Sequence, residues 1–162
     1  MRIDIGCSIF DYSIIYMRNG RTIVPGEVIM TGVDIDLEKT LAVTPQLISG
    51  IREAKRLVDE PSFEIGRVAR LIAGGRELVD EVIEFPVCTD RTDTGISRQS
   101  ISMTLDELTP LLGRLMVLLR RRESPEDDLK EQVRRVYVTT AITLNQLLAT
   151  STIKSALGEK TR

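Results

Sequence analysis

The sequence predicts a single α+β domain over residues 1–162, with an antiparallel sheet early in the chain and long apolar helices at its end. Residues 1–9 alternate between apolar and small or polar side chains, which is the period of a strand with one buried face. From residue 45 onward, apolar residues recur at helical spacing instead. The predicted order is therefore an N-terminal β-meander, two helices, a β-hairpin and a C-terminal pair of long apolar helices.

The meander is predicted from the turn residues of the first third of the chain. Two apolar runs, residues 12–18 and 21–24, flank Asn19-Gly20. This dipeptide favours a type I′ turn, because both central residues of that turn need positive φ. A further strand is expected over residues 27–34. We therefore predict a tight hairpin at Asn19-Gly20 within a run of consecutive antiparallel strands.

Capping residues and helix breakers bound the predicted helices. Thr44 followed by Pro45 indicates the start of the first helix, since proline is favoured at the first helical position. Gly74-Gly75 predicts the end of the second helix. The last helix is expected to begin after Pro125 and to run either to residue 148 or, through a frayed stretch from about residue 150, to residue 157.

The segment between the two helical pairs is more ambiguous. Residues 78–88 fit either a strand or a helix, and their β-branched and aromatic side chains favour the strand. Residues 101–105 alternate between apolar and polar, which indicates a strand that pairs with them. The next helix then begins near Thr104 or Thr109 and runs to about Arg122.

Several chemistries are disfavoured by the residue types present. The chain has no His, which removes the usual general base and the common zinc ligand. Cys7 and Cys88 are far apart and have no neighbouring Cys, so they do not have the spacing of a zinc cluster. We interpret both as structural residues. The sequence therefore predicts no catalytic residue and no bound cofactor.

Two acidic pairs are the remaining candidates for a metal site. They are Asp34 with Asp36 and Asp90 with Asp93. Carboxylate oxygens suit Mg²⁺, but the same residues are common helix caps and turn formers. No glycine pattern that cradles phosphate accompanies them. We favour the structural interpretation and predict no metal site.

The charge and hydropathy of the chain favour a cytoplasmic protein. The net charge is −2, so no global field attracts the chain to nucleic acid or to an anionic membrane. No apolar run approaches the roughly 20 residues that cross a bilayer, and no signal peptide is recognisable. Four arginines near the end of one helix and within the next could still form a local phosphate-binding surface: Arg121, Arg122, Arg134 and Arg135.

The two C-terminal helices carry more apolar residues than one buried stripe needs. Residues 115–119 are all apolar, and five successive helical residues sweep more than a full turn. Such helices are either central to a core or covered by a partner on a second face. The residues that we expect at such an interface are Met116, Val117, Leu119, Tyr137 and Val138.

These patterns predict a non-catalytic interaction or assembly protein, either a homo-oligomer or a subunit of a larger complex. It would bind itself or another protein through the C-terminal helices, with no membrane partner. The alternative is a nucleic-acid-binding accessory protein that uses the arginine cluster. A metal-dependent enzyme acting on phosphorylated substrates is a third hypothesis, which the acidic pairs alone support.

Overall fold

The computed structural model describes residues 16–18, 21–23, 34–84 and 97–158. The helices of this part are Leu37–Asp59 (α1), Ile65–Asp80 (α2), Arg98–Arg121 (α3), Glu126–Leu148 (α4) and Ser151–Gly158 (α5). Two three-residue strands, Tyr16–Arg18 (β1) and Arg21–Ile23 (β2), pair antiparallel. The predicted α+β class is wrong, because packed helices rather than a sheet form the core of the described residues.

The four long helices form a bundle in which each helix contacts two neighbours. The neighbouring pairs are α1 with α2, α2 with α4, α4 with α3, and α3 with α1, so α1 and α4 are diagonal. Glu38 at the start of α1 forms an ion pair with Arg122 at the end of α3. The Ser102 hydroxyl near the start of α3 donates a hydrogen bond to Asp59 at the end of α1, so the two helices are antiparallel. Helix α5 folds back against α2 and α4.

The start of α1 was predicted too late. The helix begins at Leu37, where the carboxylate of Asp36 accepts hydrogen bonds from two backbone N–H groups of the first turn, at 2.9 and 3.1 Å. Thr44 and Pro45 lie inside the helix, and the proline ring is exposed. The Thr44 hydroxyl donates to the backbone carbonyl of Thr40 at 2.7 Å. The Thr-Pro pair is therefore tolerated within a helix, with Thr44 buried and only the Pro45 ring facing solvent.

The end of α2 was also predicted wrongly, because the helix continues through Gly74-Gly75 to Asp80. Gly75 is buried between two neighbouring helices. A Cβ atom there would lie 3.4 Å from Cδ1 of Leu47 and 3.6 Å from Cδ1 of Leu144. These are ordinary van der Waals distances, so Gly75 lies in the buried interior of α2, enclosed by α1 and α4, and does not stop the helix.

The predicted hairpin of residues 78–88 with residues 101–105 is wrong. The first segment completes α2 and then lies partly outside the described residues, and the second is helical throughout. The apparent alternation arose because Met103 is exposed on a helix whose neighbours Ile101 and Leu105 are buried one turn apart. The two-residue period of a strand and the period of a helix therefore both fit residues 101–105, and this segment forms a helix.

Other predicted elements lie at the edges of the described part. Strands β1 and β2 flank Asn19-Gly20, but the turn residues, residues 1–9 and residues 27–33 are outside the described residues. Helix α4 begins directly after Pro125, as predicted, with three carboxylates in its first turn. Among the described residues, no helix is both long and apolar enough to cross a membrane.

Candidate interaction surface

Helix α3 has a buried face and an exposed face that are sharply separated. Its buried residues are Ile101, Leu105, Leu108, Leu112, Leu115, Met116 and Leu119. Pro110 is nine positions from both Ile101 and Leu119. At about 100° per residue, it therefore lies about 180° around the helix from them. Pro110 marks the centre of the outer face of α3, and it is exposed.

Two further apolar residues lie on this outer face. Met103 is 57% exposed and Val117 is 48% exposed, and they are the large exposed hydrophobic side chains of the described residues. With Pro110 they occur at seven-residue intervals, so all three follow one line along the helix with a drift of about 20° per step. A single exposed apolar residue is ordinary, but these three form an apolar row along the helix, with exposed charged residues between them. We call Met103, Pro110 and Val117 the α3 stripe.

Charged residues of opposite sign lie beside the α3 stripe, on either side of Pro110 along the helix. Asp106 and Glu107 lie on the N-terminal side of Pro110, and Arg114 lies on its C-terminal side. All three are exposed. Asp106 contacts Nζ of Lys55 at 3.0 Å, whereas Glu107 and Arg114 form no ion pair within the described part of the chain. The outer face of α3 thus presents an acidic half, an apolar line and a basic half.

The structure distributes the five predicted interface residues between this surface and the core. Val117 belongs to the α3 stripe. Met116, Leu119 and Tyr137 are buried within the bundle, so they cannot meet a partner unless the bundle opens. Val138 is half-buried on α4. Most of the apolar excess seen in the sequence is therefore taken up by the monomer's own core.

Met103 and Pro110 were missed when the interface was predicted from the sequence. The sequence pattern predicts a strand over residues 101–105 and a helix start near Thr104 or Thr109, so neither Met103 nor Pro110 is among the predicted interface residues. The signal that could have found them is the seven-residue recurrence with Val117, combined with the helical spacing of Ile101 and Leu105. A helical reading of residues 98–121 would have placed the three residues on one face.

The four predicted nucleic-acid contacts each have a carboxylate beside them. Arg122 pairs with Glu38, and the Arg121 guanidinium lies 4.0 Å from Glu123. The carboxylate of Glu131 contacts Arg134 at 2.6 Å and Arg135 at 3.0 Å. These acids lower the positive potential that a phosphate backbone would need. The arrangement gives nucleic-acid binding no specific support.

An open cavity of about 600 Å³ lies where α1 begins beside the turn between α3 and α4. Its charged lining includes Asp34, Glu38, Arg122, Glu126 and Lys130. These groups pair with one another: Arg122 with Glu38, and Lys130 with Glu126 at 3.2 Å and with Asp34 at 3.8 Å. The charged side chains that line the cavity are therefore already paired with one another.

The acidic pairs divide between a structural role and residues that the structure does not describe. Asp36 caps α1, and Asp34 is exposed beside Lys130. Asp90, Asp93 and the two cysteines lie outside the described residues. Within the described part, no three residues among His, Cys, Asp and Glu are grouped to hold a metal ion.

Two buried hydroxyl groups connect the diagonal helices of the bundle. The hydroxyls of Tyr137 in α4 and Thr44 in α1 are 2.7 Å apart, and neither side chain is exposed. Burial raises the pKa of Tyr137 from its ordinary value of 10.0 to about 12, although the hydrogen bond to Thr44 acts in the opposite direction. This contact links α1 to α4 inside the bundle.

We expect the stability of the bundle to fall at high pH because of Tyr137. The folded protein holds the phenol proton more tightly than the unfolded chain, so the contribution is complete below pH 10.0 and is lost as pH rises toward about 12. Two pKa units correspond to about 3 kcal/mol. Urea denaturation at several pH values should show a steeper loss of the free energy of unfolding for the wild type than for Tyr137→Phe. Equal slopes would contradict this assignment.

Comparison of the chain with protein-family models, with curated proteins and with solved structures finds no match. The function is therefore argued from the geometry of the described residues. The feature that this geometry leaves without a structural role in the monomer is the outer face of α3.

Proposed function

We propose that this chain is a non-catalytic assembly protein that associates with itself through the outer face of α3. The observation that carries the proposal is the α3 stripe, which keeps Met103 and Val117 about half exposed on one face of one helix. Exposed apolar strips that are rimmed by charged residues are typical of protein–protein contacts. Neither the fold nor the bundle core requires apolar residues at these positions.

The burial pattern of the other helices supports this choice of surface. In α4, the large side chains of Val133, Tyr137 and Leu144 are fully enclosed by the bundle. Helices α1 and α2 likewise turn their large apolar side chains inward or half-bury them against the core. The stripe on α3 therefore contrasts with the rest of the described surface, and its burial would gain roughly 1 kcal/mol for each half-exposed side chain.

The proposal predicts a particle heavier than one chain. Light scattering of the purified protein should give a mass that is a multiple of 18.1 kDa at micromolar concentration and that falls on dilution. Added salt should weaken the association without abolishing it, because the apolar contact is unaffected by screening. A mass of 18.1 kDa at every concentration, up to high micromolar, would overturn the proposal.

A further inference from the structure

We infer that the partner of the α3 stripe is the α3 stripe of a second copy, packed antiparallel about a twofold axis that passes beside Pro110. The inference rests on the proposed self-association and adds its symmetry and register. It follows from the order of apolar and charged residues along the outer face of α3. This order is self-complementary when one helix is reversed against the other.

The apolar residues of the stripe match under this reversal. Met103 and Val117 are each seven positions from Pro110, on opposite sides. In a twofold contact, a residue that meets another is met by it in turn. Met103 of each copy therefore faces Val117 of the other, and the two Pro110 rings face each other. In such a dimer, each Met103 and each Val117 would contact an apolar side chain of the other copy.

The charged residues match in the same register. Arg114 lies four positions after Pro110, whereas Asp106 and Glu107 lie four and three positions before it. The reversal brings Arg114 of one copy beside Glu107 of the other, because both lie on the same flank of the stripe, whereas Asp106 lies on the opposite flank. Glu107 and Arg114 have no ion-pair partner within the described part of their own chain, so each is available for this contact. A parallel pairing in register would instead place like charges together, which disfavours association.

The dimensions of α3 are suitable for this contact. The stripe from Met103 to Val117 extends about 21 Å, well within the length of a 24-residue helix. Gly113 lies at the side of the outer face, and the space where its Cβ would stand is open. Gly113 lies on the same flank of the stripe as Asp106, so the absence of a side chain there lets Asp106 of the other copy approach the helix closely. Interaxial distances of about 8–10 Å are usual for helices that pack in this way.

The first test exchanges the charges across the proposed contact. Glu107→Arg and Arg114→Glu should each weaken dimerisation by about tenfold or more, because each places like charges together twice. The double variant should restore the wild-type dissociation constant, measured by sedimentation equilibrium. Glu77→Arg is the matched control, since it reverses an exposed acid on α2 and should leave association unchanged. Circular dichroism confirms that each variant is folded.

The second test fixes the register with disulfides in a Cys7→Ser/Cys88→Ser background. A mixture of Met103→Cys and Val117→Cys chains, one carrying a mass tag, should oxidise to the mixed dimer. Neither variant should link to itself, because the two copies of residue 103 lie about 21 Å apart in the antiparallel register. Residue 117 is separated by the same distance. A Pro110→Cys chain should link to itself.

The outcomes separate the two proposals. A wild-type protein that stays monomeric contradicts both the proposed function and this inference. A wild-type oligomer that is insensitive to the charge exchange, or that links residue 103 to residue 103, contradicts the antiparallel register and leaves self-association standing. A dimer that shows the charge rescue and the mixed disulfide supports the inference.

Discussion

Replacing Leu115 with Asp is expected to abolish the cooperative fold, whereas the same replacement at Val117 is expected to leave it intact. Leu115 is 1% exposed on the inner face of α3, and Val117 is 48% exposed on the outer face of the same helix. An unpaired carboxylate in the bundle core costs at least about 4 kcal/mol. That cost is comparable to the whole stability of a domain of this size, about 5–15 kcal/mol.

Circular dichroism during thermal unfolding measures the difference. We expect Leu115→Asp to lose its helical signal or its transition, and Val117→Asp to melt within a few degrees of the wild type. The two variants differ by two positions and introduce the same side chain, so they control for helix propensity and net charge. If both variants unfold alike, the assignment of inner and outer faces of α3 is wrong.

The second large effect is expected at the buried arginine of α2. Arg76 is 4% exposed, and its Nε donates to Oδ1 of the buried Asn145 in α4 at 2.7 Å. The guanidinium also contacts Asp80 one turn along α2. Arg76→Met removes the charge and deprives the Asn145 oxygen of this donor, which costs about 2–3 kcal/mol. The free energy of unfolding in urea should fall by that amount.

A double-mutant cycle distinguishes this polar contact from simple loss of packing. Arg76→Met with Asn145→Leu should cost less than the sum of the single variants, because no buried oxygen is then left without its donor. Arg70→Met is the control on the same helix, since Arg70 is exposed and should change stability by less than about 0.5 kcal/mol. A fully stable Arg76→Met variant would show that the link between α2 and α4 contributes little.

The sequence predicted a helix boundary correctly where the residues at that boundary act locally, and wrongly where tertiary packing decides it. The start of α4 was found because Pro125 and the acids after it act at a helix terminus. Thr44-Pro45 and Gly74-Gly75 misled the prediction, because local rules do not reveal that the proline ring faces solvent or that Gly75 sits between Leu47 and Leu144. Those features are set by tertiary packing.

Tertiary packing also explains why the sequence identified Val117 of the candidate surface but not Met103 or Pro110. The apolar excess of residues 115–119 predicted an interface that includes Met116, Val117 and Leu119, and of these three only Val117 is exposed. The sequence could not tell which of its neighbours the core absorbs, because that depends on how α1 and α4 enclose Met116 and Leu119. The stripe became visible once α3 was known to run unbroken through Pro110.

Sedimentation equilibrium of the wild type beside Val117→Asp tests the central claim most directly. The wild type should fit a reversible oligomer, and Val117→Asp should be a folded monomer of 18.1 kDa under the same conditions. Ala42→Asp, an exposed replacement on α1, should associate like the wild type. The account is contradicted if the wild type is monomeric, or if folded Val117→Asp associates as tightly as the wild type.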